Sequence, residues 1–253
     1  MNHLQYLGGF RRHYVVLPQL GVGYGRIPKA ANSIIKRLLA RAAGLEYMFG
    51  DEAFSQDRNW RTKQPNAYFL TGAQARRRFP DLVLFSFVRE PLSRLASCYR
   101  SKITRPEALH DSLQREGLKK DVSFPKFVKH VCGRSDWRSN IHYRSQAQIL
   151  NMRGGTPPDF IGQVEQLELH WRMLSEMLAD RGHAQLPSLP RRKRNATDSQ
   201  MKTGDLFDGG QGLIEMAQRR YADDLALFYG EAPLPGHQNA AIFYARDKRT
   251  DYA

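Results

Sequence analysis

The feature of this sequence that most constrains its fold is an apolar run that ends in an arginine. Residues 82–88 read LVLFSFV, and Arg89 follows directly. A near-continuous apolar run of this length predicts a strand that is buried on both faces of a parallel sheet. Pro91 suits the first turn of a helix, and the apolar residues beyond it recur at helical spacing. We therefore expect the chain to turn from a buried strand into a helix at this point.

Arg89 and a later hydroxyl are candidates for an anion-binding site at this turn. Ser97 lies eight positions beyond Arg89, on the predicted helix. Ligands of open α/β sheets bind at the carboxyl ends of the strands. A guanidinium can hold a phosphate monoester through two parallel hydrogen bonds, and a hydroxyl adds one more donor. The alternative interpretation is that Arg89 pairs with Glu90 on the surface and that Ser97 is an ordinary helix residue.

A second strand-to-helix turn places a lysine and a hydroxyl together. Residues 22–27 form a short strand candidate, and apolar residues recur at helical spacing from Ile34 until Gly44. The first turn of a helix carries unpartnered N–H groups and the positive end of the helix dipole, and small residues let an anion approach. Lys29 and Ser33 would add side-chain contacts to such an anion. The alternative is an ordinary proline-containing turn with a solvated lysine.

The order of the predicted elements indicates the fold class. It runs strand 22–27, helix 33–43, strand 82–88, helix 91–103, helix 124–132, helix or loop 137–151, strand 159–164, helix 166–180 and helix 211–229. Strands that alternate with helices predict an α/β fold of three layers with a mainly parallel sheet. The chain has 253 residues, is 41% hydrophobic and contains no linker or repeat, so we expect one domain, 1–253, with its core at about 14–230 and a tail at 231–253.

Net charge, cysteine content and the length of the apolar stretches indicate which partners and which environment the sequence suits. The formal net charge of +14 favours polyanionic partners. The two cysteines, Cys98 and Cys132, do not suggest a disulfide framework. No apolar stretch approaches the ~20 residues that cross a bilayer, and the first residues lack a signal-peptide core. These observations predict a soluble protein.

Two other classes of protein share part of this pattern. A P-loop kinase or NTPase would have a similar anion-binding turn, but Pro28 precedes Lys29 and Ala30 follows it, and the strand at 82–88 ends in arginine rather than in a magnesium-binding aspartate. A nucleic-acid-binding protein would explain the charge and the basic run at 191–194. No zinc, RRM or helix-turn-helix signature accompanies that run.

The two turns resemble motifs of a known family, the PAPS-dependent sulfotransferases, in particular the carbohydrate group related to chondroitin and HNK-1 sulfotransferases. Residues 27–33 (IPKAANS) resemble its 5′-phosphosulfate loop, and residues 87–102 (FVREPLSRLASCYRSK) resemble its 3′-phosphate segment. Residues 159–167 and 221–229 are similar to later parts of the family, whereas residues 46–79 match none of it. The resemblance implies a P-loop-like fold, PAPS as co-substrate and no metal. The implied cofactor-binding residues are Pro28, Lys29, Ala30, Ala31, Asn32, Ser33, Arg89 and Ser97.

The same resemblance suggests catalytic and acceptor-binding residues. Lys29 would also stabilise charge on the leaving group. Residues 136–146 (DWRSNIHYRSQ) resemble the family's acceptor-cleft segment, with Ser145 where the family has proline. This identifies His142 as the candidate general base and His142 and Arg144 as candidate acceptor-binding residues; Glu165 is an alternative base. Residues 189–197 resemble a loop that closes over the nucleotide, so Arg194 is a further candidate for binding PAPS.

The function expected from the resemblance is transfer of a sulfuryl group from PAPS to a hydroxyl of a carbohydrate, with release of PAP. The acceptor would be a carbohydrate, with an acidic glycan or a glycolipid among the candidates, and no nucleic acid is expected as a partner. The lack of an apolar anchor predicts a bacterial-type cytoplasmic enzyme. The alternative is the Golgi lumen, if an N-terminal anchor precedes this sequence.

Overall fold

A computed structural model of the chain describes residues 12–45, 60, 66–153, 156–190, 203–208 and 210–230, and within them lies a five-stranded sheet. Its strands are β1 (Tyr14–Leu17), β2 (Val22–Gly25), β3 (Tyr68–Leu70), β4 (Val83–Val88) and β5 (Phe160–Gln163), arranged in the order β3-β1-β2-β4-β5. The pairs β2–β4 and β4–β5 are parallel, whereas β1 is antiparallel to both of its neighbours. All strands except β1 therefore run in one direction.

Helices connect and cover these strands. In chain order they are α1 (Asn32–Ala42), α2 (Gly72–Arg78), α3 (Pro91–Lys102), α4 (Asp111–Gln114), α5 (Phe124–Cys132), α6 (Gln146–Leu150), α7 (Leu167–Asp180), α8 (Thr203–Phe207), α9 (Gln211–Arg220) and α10 (Ala222–Tyr229). Short 3-10 turns lie at Pro18–Leu20, Asp136–Arg138 and Val164–Gln166. Within the described ranges, no helix is both long and apolar enough to cross a membrane.

The sheet is buried on both faces, because the side chains of each strand alternate between two hydrophobic layers. Phe85 and Phe87 face α1 and α7, where they pack against Trp171. On the opposite face, Leu84 packs in one cluster with Ala75 of α2, and Val88 packs in another with apolar residues of α6 and α10. The predicted α/β class, with three layers and a mainly parallel sheet, is confirmed.

Several predicted boundaries differ from the structure. The strand predicted at 22–27 ends at Gly25, because residues 26–31 form the loop that leads into α1. The helix predicted at 211–229 is two helices that meet at Tyr221, whose φ of −110° and ψ of 26° break the helical path. The segment 137–151 is neither a single helix nor a loop, since it contains a 3-10 turn, an irregular turn and then α6.

Candidate functional site

The loop between β2 and α1 has an unusual backbone for its sequence. Lys29 and Ala31 adopt positive φ angles of 70° and 53°, although neither is glycine. Such a conformation costs about 1–2 kcal/mol per residue and persists where the surrounding structure holds it, often at functional sites. Ala31 is the N-cap of α1 and has no side chain that could accept a hydrogen bond from the first turn. The N-terminus of α1 is thus a helix end at which an anion can accept backbone N–H donors.

Lys29 lies half-buried in this loop among other cations. Burial lowers the pKa of its ammonium to about 8. The nearby charges of Lys102, Arg105 and Arg89 act in the same direction, while Cys98 opposes them. A cation that is desolvated and surrounded by like charges is stabilised by a bound anion, because the anion offsets both penalties.

Arg89 lies directly after β4 and reaches over the same loop. Its Nη1 donates to the carbonyl oxygen of Lys29 at 3.4 Å. Burial lowers the pKa of the Arg89 guanidinium, and the carboxylates of Glu165 and Glu90 partly offset this. The two anion-binding turns predicted from the sequence therefore meet at one place, at the carboxyl ends of β2 and β4.

The start of α3 is built as the sequence indicates. Pro91 occupies the first turn, and the Glu90 carboxylate caps the helix by accepting from the backbone N–H groups of Leu92 and Ser93. Ser97 lies further along α3, with 7% of its surface exposed. Its neighbour Cys98 is one of the groups that influence the pKa of Lys29, so α3 passes beside the loop at this level.

Gln146, which was not among the predicted site residues, holds the backbone of Arg89 in place. Its Oε1 accepts from the Arg89 backbone N–H at 2.9 Å, and its Nε2 donates to the Arg89 carbonyl at 2.8 Å. The fully buried Asp224 in turn accepts from the backbone N–H groups of Gln146 and Ala147, at the start of α6. Gln146 is the last residue of the segment 136–146, which resembles the acceptor-cleft segment of the family. Its place in that segment was the sequence signal that could have marked it as a site residue.

Arg94 joins the Lys29 loop to the loop that carries His142. It is 2% exposed, and its three guanidinium nitrogens donate to three backbone carbonyls. The acceptors are Pro28 at 3.0 Å, Arg144 at 2.7 Å and Ile141 at 3.1 Å. Since one planar group bonds both loops, the residue before Lys29 and the residue before His142 are held close together. Arg94 was not among the residues predicted for the site, although the sequence shows an arginine among the apolar residues of this helix.

Loss of Arg94 should destabilise the protein. We expect Arg94→Met to lower the free energy of unfolding by about 3 kcal/mol, because three backbone carbonyls, all at least partly buried, lose a charged donor. Urea unfolding followed by circular dichroism measures this difference. Arg172→Ala is the control, since Arg172 is exposed and makes a long i,i+4 ion pair with Glu176, a type of contact that contributes about 0.5 kcal/mol or less. Equal stability of Arg94→Met and the native protein would contradict the bridging role.

Hydrogen bonds within the His142 loop explain the serine at position 145. The backbone N–H and hydroxyl of Ser145 both donate to Asp136, and its oxygen caps α6 by accepting from Gln148. A proline there would lack the N–H that Asp136 binds. Asp136 also accepts from Arg220 Nη2 at 2.7 Å. Burial alone would raise the pKa of Asp136, but these hydrogen bonds bring it below its usual value.

The other candidate residues occupy different positions relative to the site. His142 is half-buried, and its backbone N–H donates to Asn140 Oδ1 at 3.1 Å. Arg144 uses Nε and Nη2 to bind the carbonyls of Ser139 and Trp137. Glu165 accepts from the Glu90 backbone N–H and from the Tyr229 hydroxyl, which makes it a support for the turn after β4. Arg194 lies outside the described residues, as do the tail at 231–253 and most of 46–65.

The fold and these contacts define an α/β protein in which the cations of Lys29 and Arg89 lie together at the carboxyl ends of adjacent strands. Residues 12–230 match the model of the sulfotransferase family (Sulfotransfer_2), so the chain belongs to this family. The predicted resemblance is confirmed. The sulfate donor of this family is PAPS. No solved structure matches the chain significantly.

Vertebrate relatives of the chain carry a more specific name. It is 25% identical to "Carbohydrate sulfotransferase 14" of Homo sapiens over 236 residues, which cover 88% of this chain and 61% of the relative, and the values for Mus musculus are the same. The protein of that name from Danio rerio is 26% identical over 132 residues, which cover 47% of this chain and 36% of that relative. The chain thus spans about three fifths of the human and mouse proteins.

The comparison corrects one prediction. A bacterial-type cytoplasmic localisation was expected because no apolar stretch of the given sequence approaches the length that crosses a bilayer. The relatives that match are vertebrate carbohydrate sulfotransferases, and such enzymes reside in the Golgi in eukaryotes. The expectation was therefore wrong in its main claim, since the lack of an apolar stretch in a sequence does not identify a compartment.

Proposed function

We propose that this protein transfers a sulfuryl group from PAPS to a hydroxyl of a carbohydrate. The observation that carries the proposal is the contact between Arg89 Nη1 and the Lys29 carbonyl, which brings two family motifs to one basic site. The name of the vertebrate relatives supports a carbohydrate as the acceptor. The family match from 12 to 230 also supports treating the chain as one domain.

The described residues suit the two anionic ends of PAPS. Lys29 and the loop residues Pro28, Ala30, Ala31, Asn32 and Ser33 surround the N-terminus of α1, which favours the 5′-phosphosulfate. Arg89 and Ser97 are proposed for the 3′-phosphate, and Arg194 remains a prediction for the same nucleotide. Bound PAPS would supply the sulfuryl group and leave as PAP. We propose no metal in this site, because Lys29 and Arg89 offer the positive charge that a phosphosulfate needs.

Lys29 is proposed to act on the leaving group. Negative charge grows on the bridging oxygen of the donor as the bond to sulfur breaks, and an ammonium already in position stabilises that charge more in the transition state than before it. The half-buried position of Lys29 strengthens this effect, since charge interactions are screened less away from water. The positive φ of Lys29 sets the direction in which its side chain leaves the backbone before the donor binds.

His142 is proposed as the general base for the acceptor hydroxyl, with Arg144 beside it on the acceptor side. An alcohol is a weak nucleophile until its proton is removed, and imidazole accepts a proton near neutral pH. The Arg94 bridge between the residues preceding Lys29 and His142 supports this pairing of base and leaving-group cation. Glu165 is less favoured as the base, because both of its carboxylate oxygens already accept hydrogen bonds.

A transfer assay tests the proposed function. The purified chain would be incubated with ³⁵S-labelled PAPS and a panel of acidic and neutral oligosaccharides, and label in the oligosaccharides would be counted. We expect label to appear in at least one glycan and PAP to accumulate in equal amount. The proposal is wrong if the protein binds PAP but labels no carbohydrate, or if it binds no PAP and instead hydrolyses ATP with Mg²⁺.

Arg89 should determine preference for a 3′-phosphate. We expect Arg89→Ala to weaken PAP binding by about 10- to 150-fold, which corresponds to the roughly 1.5–3 kcal/mol of a charge-assisted hydrogen bond. Binding of adenosine 5′-phosphate, which lacks the 3′-phosphate, should change little. Isothermal titration calorimetry with both ligands measures the difference, with Arg172→Ala as the control. If the variant loses affinity for both ligands equally, Arg89 does not hold the 3′-phosphate.

PAP affinity should fall above about pH 8. Lys29 loses its proton as the pH rises through its pKa of about 8 in the free protein, whereas a bound anion favours the protonated form. The phosphates of PAP are fully ionised in this range, since their second pKa is about 6. Affinity should therefore decrease by up to about tenfold per pH unit above pH 8. Calorimetry between pH 7 and 10 checks this, and Lys29→Arg should remove the decrease.

A further inference from the structure

Trp137, whose carbonyl accepts from Arg144 of the proposed acceptor site, is exposed to solvent. Trp137 is 58% exposed, whereas Trp60 and Trp171 are 2% and 4% exposed. Leu169 is the other large hydrophobic residue that is exposed among the described residues, at 39%. Isolated exposed apolar residues are common on protein surfaces, so exposure alone does not assign a function to Trp137. Its position and the contacts of its backbone are needed as well.

Hydrogen bonds hold the backbone turn that carries Trp137. It belongs to the 3-10 turn Asp136–Arg138, in which Asp136 accepts from Ser145 and from Arg220. Arg220 also donates to the hydroxyl of the buried Ser139, just beyond the turn. An aromatic side chain on a fixed backbone loses little conformational freedom when a ligand covers it.

The same turn is tied to the loop that carries His142. Arg144 Nη2 donates to the carbonyl of Trp137 at 3.1 Å and to that of Ser139 at 2.7 Å. Arg144 in turn is held through its own carbonyl by Arg94, which also bonds the Pro28 carbonyl in the donor loop. Trp137 is thus connected by hydrogen bonds, through two arginines, to both sides of the proposed site.

We propose that Trp137 is a stacking platform for a pyranose ring of the acceptor glycan, next to the sugar that receives the sulfuryl group. The face of an indole carries partial negative charge, and the C–H groups on one face of a pyranose are polarised positive by the ring oxygen and the hydroxyl oxygens. Stacking also removes apolar surface of both partners from water. Exposed Arg138, the next residue of the same turn, would pair with a carboxylate or sulfate of an acidic glycan. This inference rests on the proposed function.

Fluorescence gives a direct readout of this site. Trp137 is the exposed one of the three tryptophans, so acrylamide should quench its emission and leave that of Trp60 and Trp171 nearly unchanged. With PAP present, a chondroitin hexasaccharide should shield Trp137 from acrylamide, and a neutral hexasaccharide of galactose and N-acetylglucosamine serves as the second arm. Shielding by both indicates ring stacking alone, and shielding by the chondroitin alone indicates that Arg138 also contributes. If neither glycan shields Trp137, the inference is overturned.

Kinetics of variants supply the second test, with whichever of the two glycans the native protein sulfates. Trp137→Ala should raise KM for the glycan about tenfold, which corresponds to about 1.4 kcal/mol of lost contact, with kcat and PAP affinity unchanged. Trp137→Phe keeps an aromatic ring and should recover most of the affinity, and Leu169→Ala is the exposed apolar control. A native KM in Trp137→Ala overturns the inference while sulfuryl transfer stands. Failure of the native protein to label any oligosaccharide of the panel used in the transfer assay would overturn the proposed function, and this inference with it.

Discussion

Replacement of Lys29 by alanine should lower kcat about 10²- to 10³-fold, the loss that follows removal of one preorganised donor to a developing negative charge. We expect the free energy of unfolding to stay the same or rise, since Lys29 is a desolvated cation among other cations. Single-turnover transfer of labelled sulfuryl groups measures the rate, and urea unfolding measures the stability. If Lys29 served only to stabilise the fold, the alanine variant would instead lose stability and keep its kcat, and the leaving-group role would be wrong.

Lys29→Gly is the matched control for the backbone. Lys29 has a φ of 70°, which alanine tolerates no better than lysine but which glycine adopts freely. The glycine variant should therefore be more stable than the alanine variant by about 1 kcal/mol and equally slow. If instead glycine restored activity, the strained loop rather than the ammonium would be the important feature, and the leaving-group role of Lys29 would be wrong.

Replacement of His142 by glutamine should lower kcat about 10²- to 10⁴-fold, the usual contribution of a general base. Glutamine retains size and hydrogen bonding but cannot accept a proton at neutral pH. PAP affinity should be unchanged, because Arg94 holds the donor loop through the Pro28 carbonyl and the His142 loop through the carbonyls of Ile141 and Arg144, and these bonds do not involve the imidazole. The rate of the chemical step under saturating PAPS and glycan is the relevant measurement.

Glu165→Gln distinguishes the two candidates for the base. The amide oxygen of glutamine can still accept from the Glu90 backbone N–H, so the turn after β4 should keep its shape. We expect a small effect on kcat from this variant. A large loss in Glu165→Gln together with a nearly native rate in His142→Gln would reverse the assignment.

The parts of the site that were predicted from the sequence are those in which neighbouring residues determine the structure. The apolar run before Arg89 predicts β4 within one residue of its start, and Pro91 with the following helical spacing predicts α3. The order of strand, loop and helix around α1 was predicted correctly, but the strand before the loop, β2, ends at Gly25 rather than at residue 27. Local patterns could not show that Lys29 and Ala31 take positive φ angles, since both residue types usually avoid them.

The parts that the sequence did not predict depend on contacts between distant residues. Arg94 bonds carbonyls 47 to 66 positions away, and Asp224 bonds Gln146 across 78 positions, so no local pattern contains either interaction. Strand β3 was missed because its three residues are too few for a period to be recognised. Strand β1 has four residues, as β2 and β5 do, but it does not lead into a predicted helix as those two strands do. Both β1 and β3 become strands through pairing with their neighbours in the sheet.

The last described helix sets a limit on how this protein can be shortened. Asp224 fixes Gln146, which brackets the backbone of Arg89, and the Tyr229 hydroxyl bonds Glu165, which holds the backbone of Glu90. The turn after the fourth strand is thus assembled from a segment some 140 positions downstream. A recombinant fragment that stops before residue 229 would retain every proposed catalytic group and still lose the brace that aligns them, so the C-terminal boundary of any minimal version belongs beyond that tyrosine.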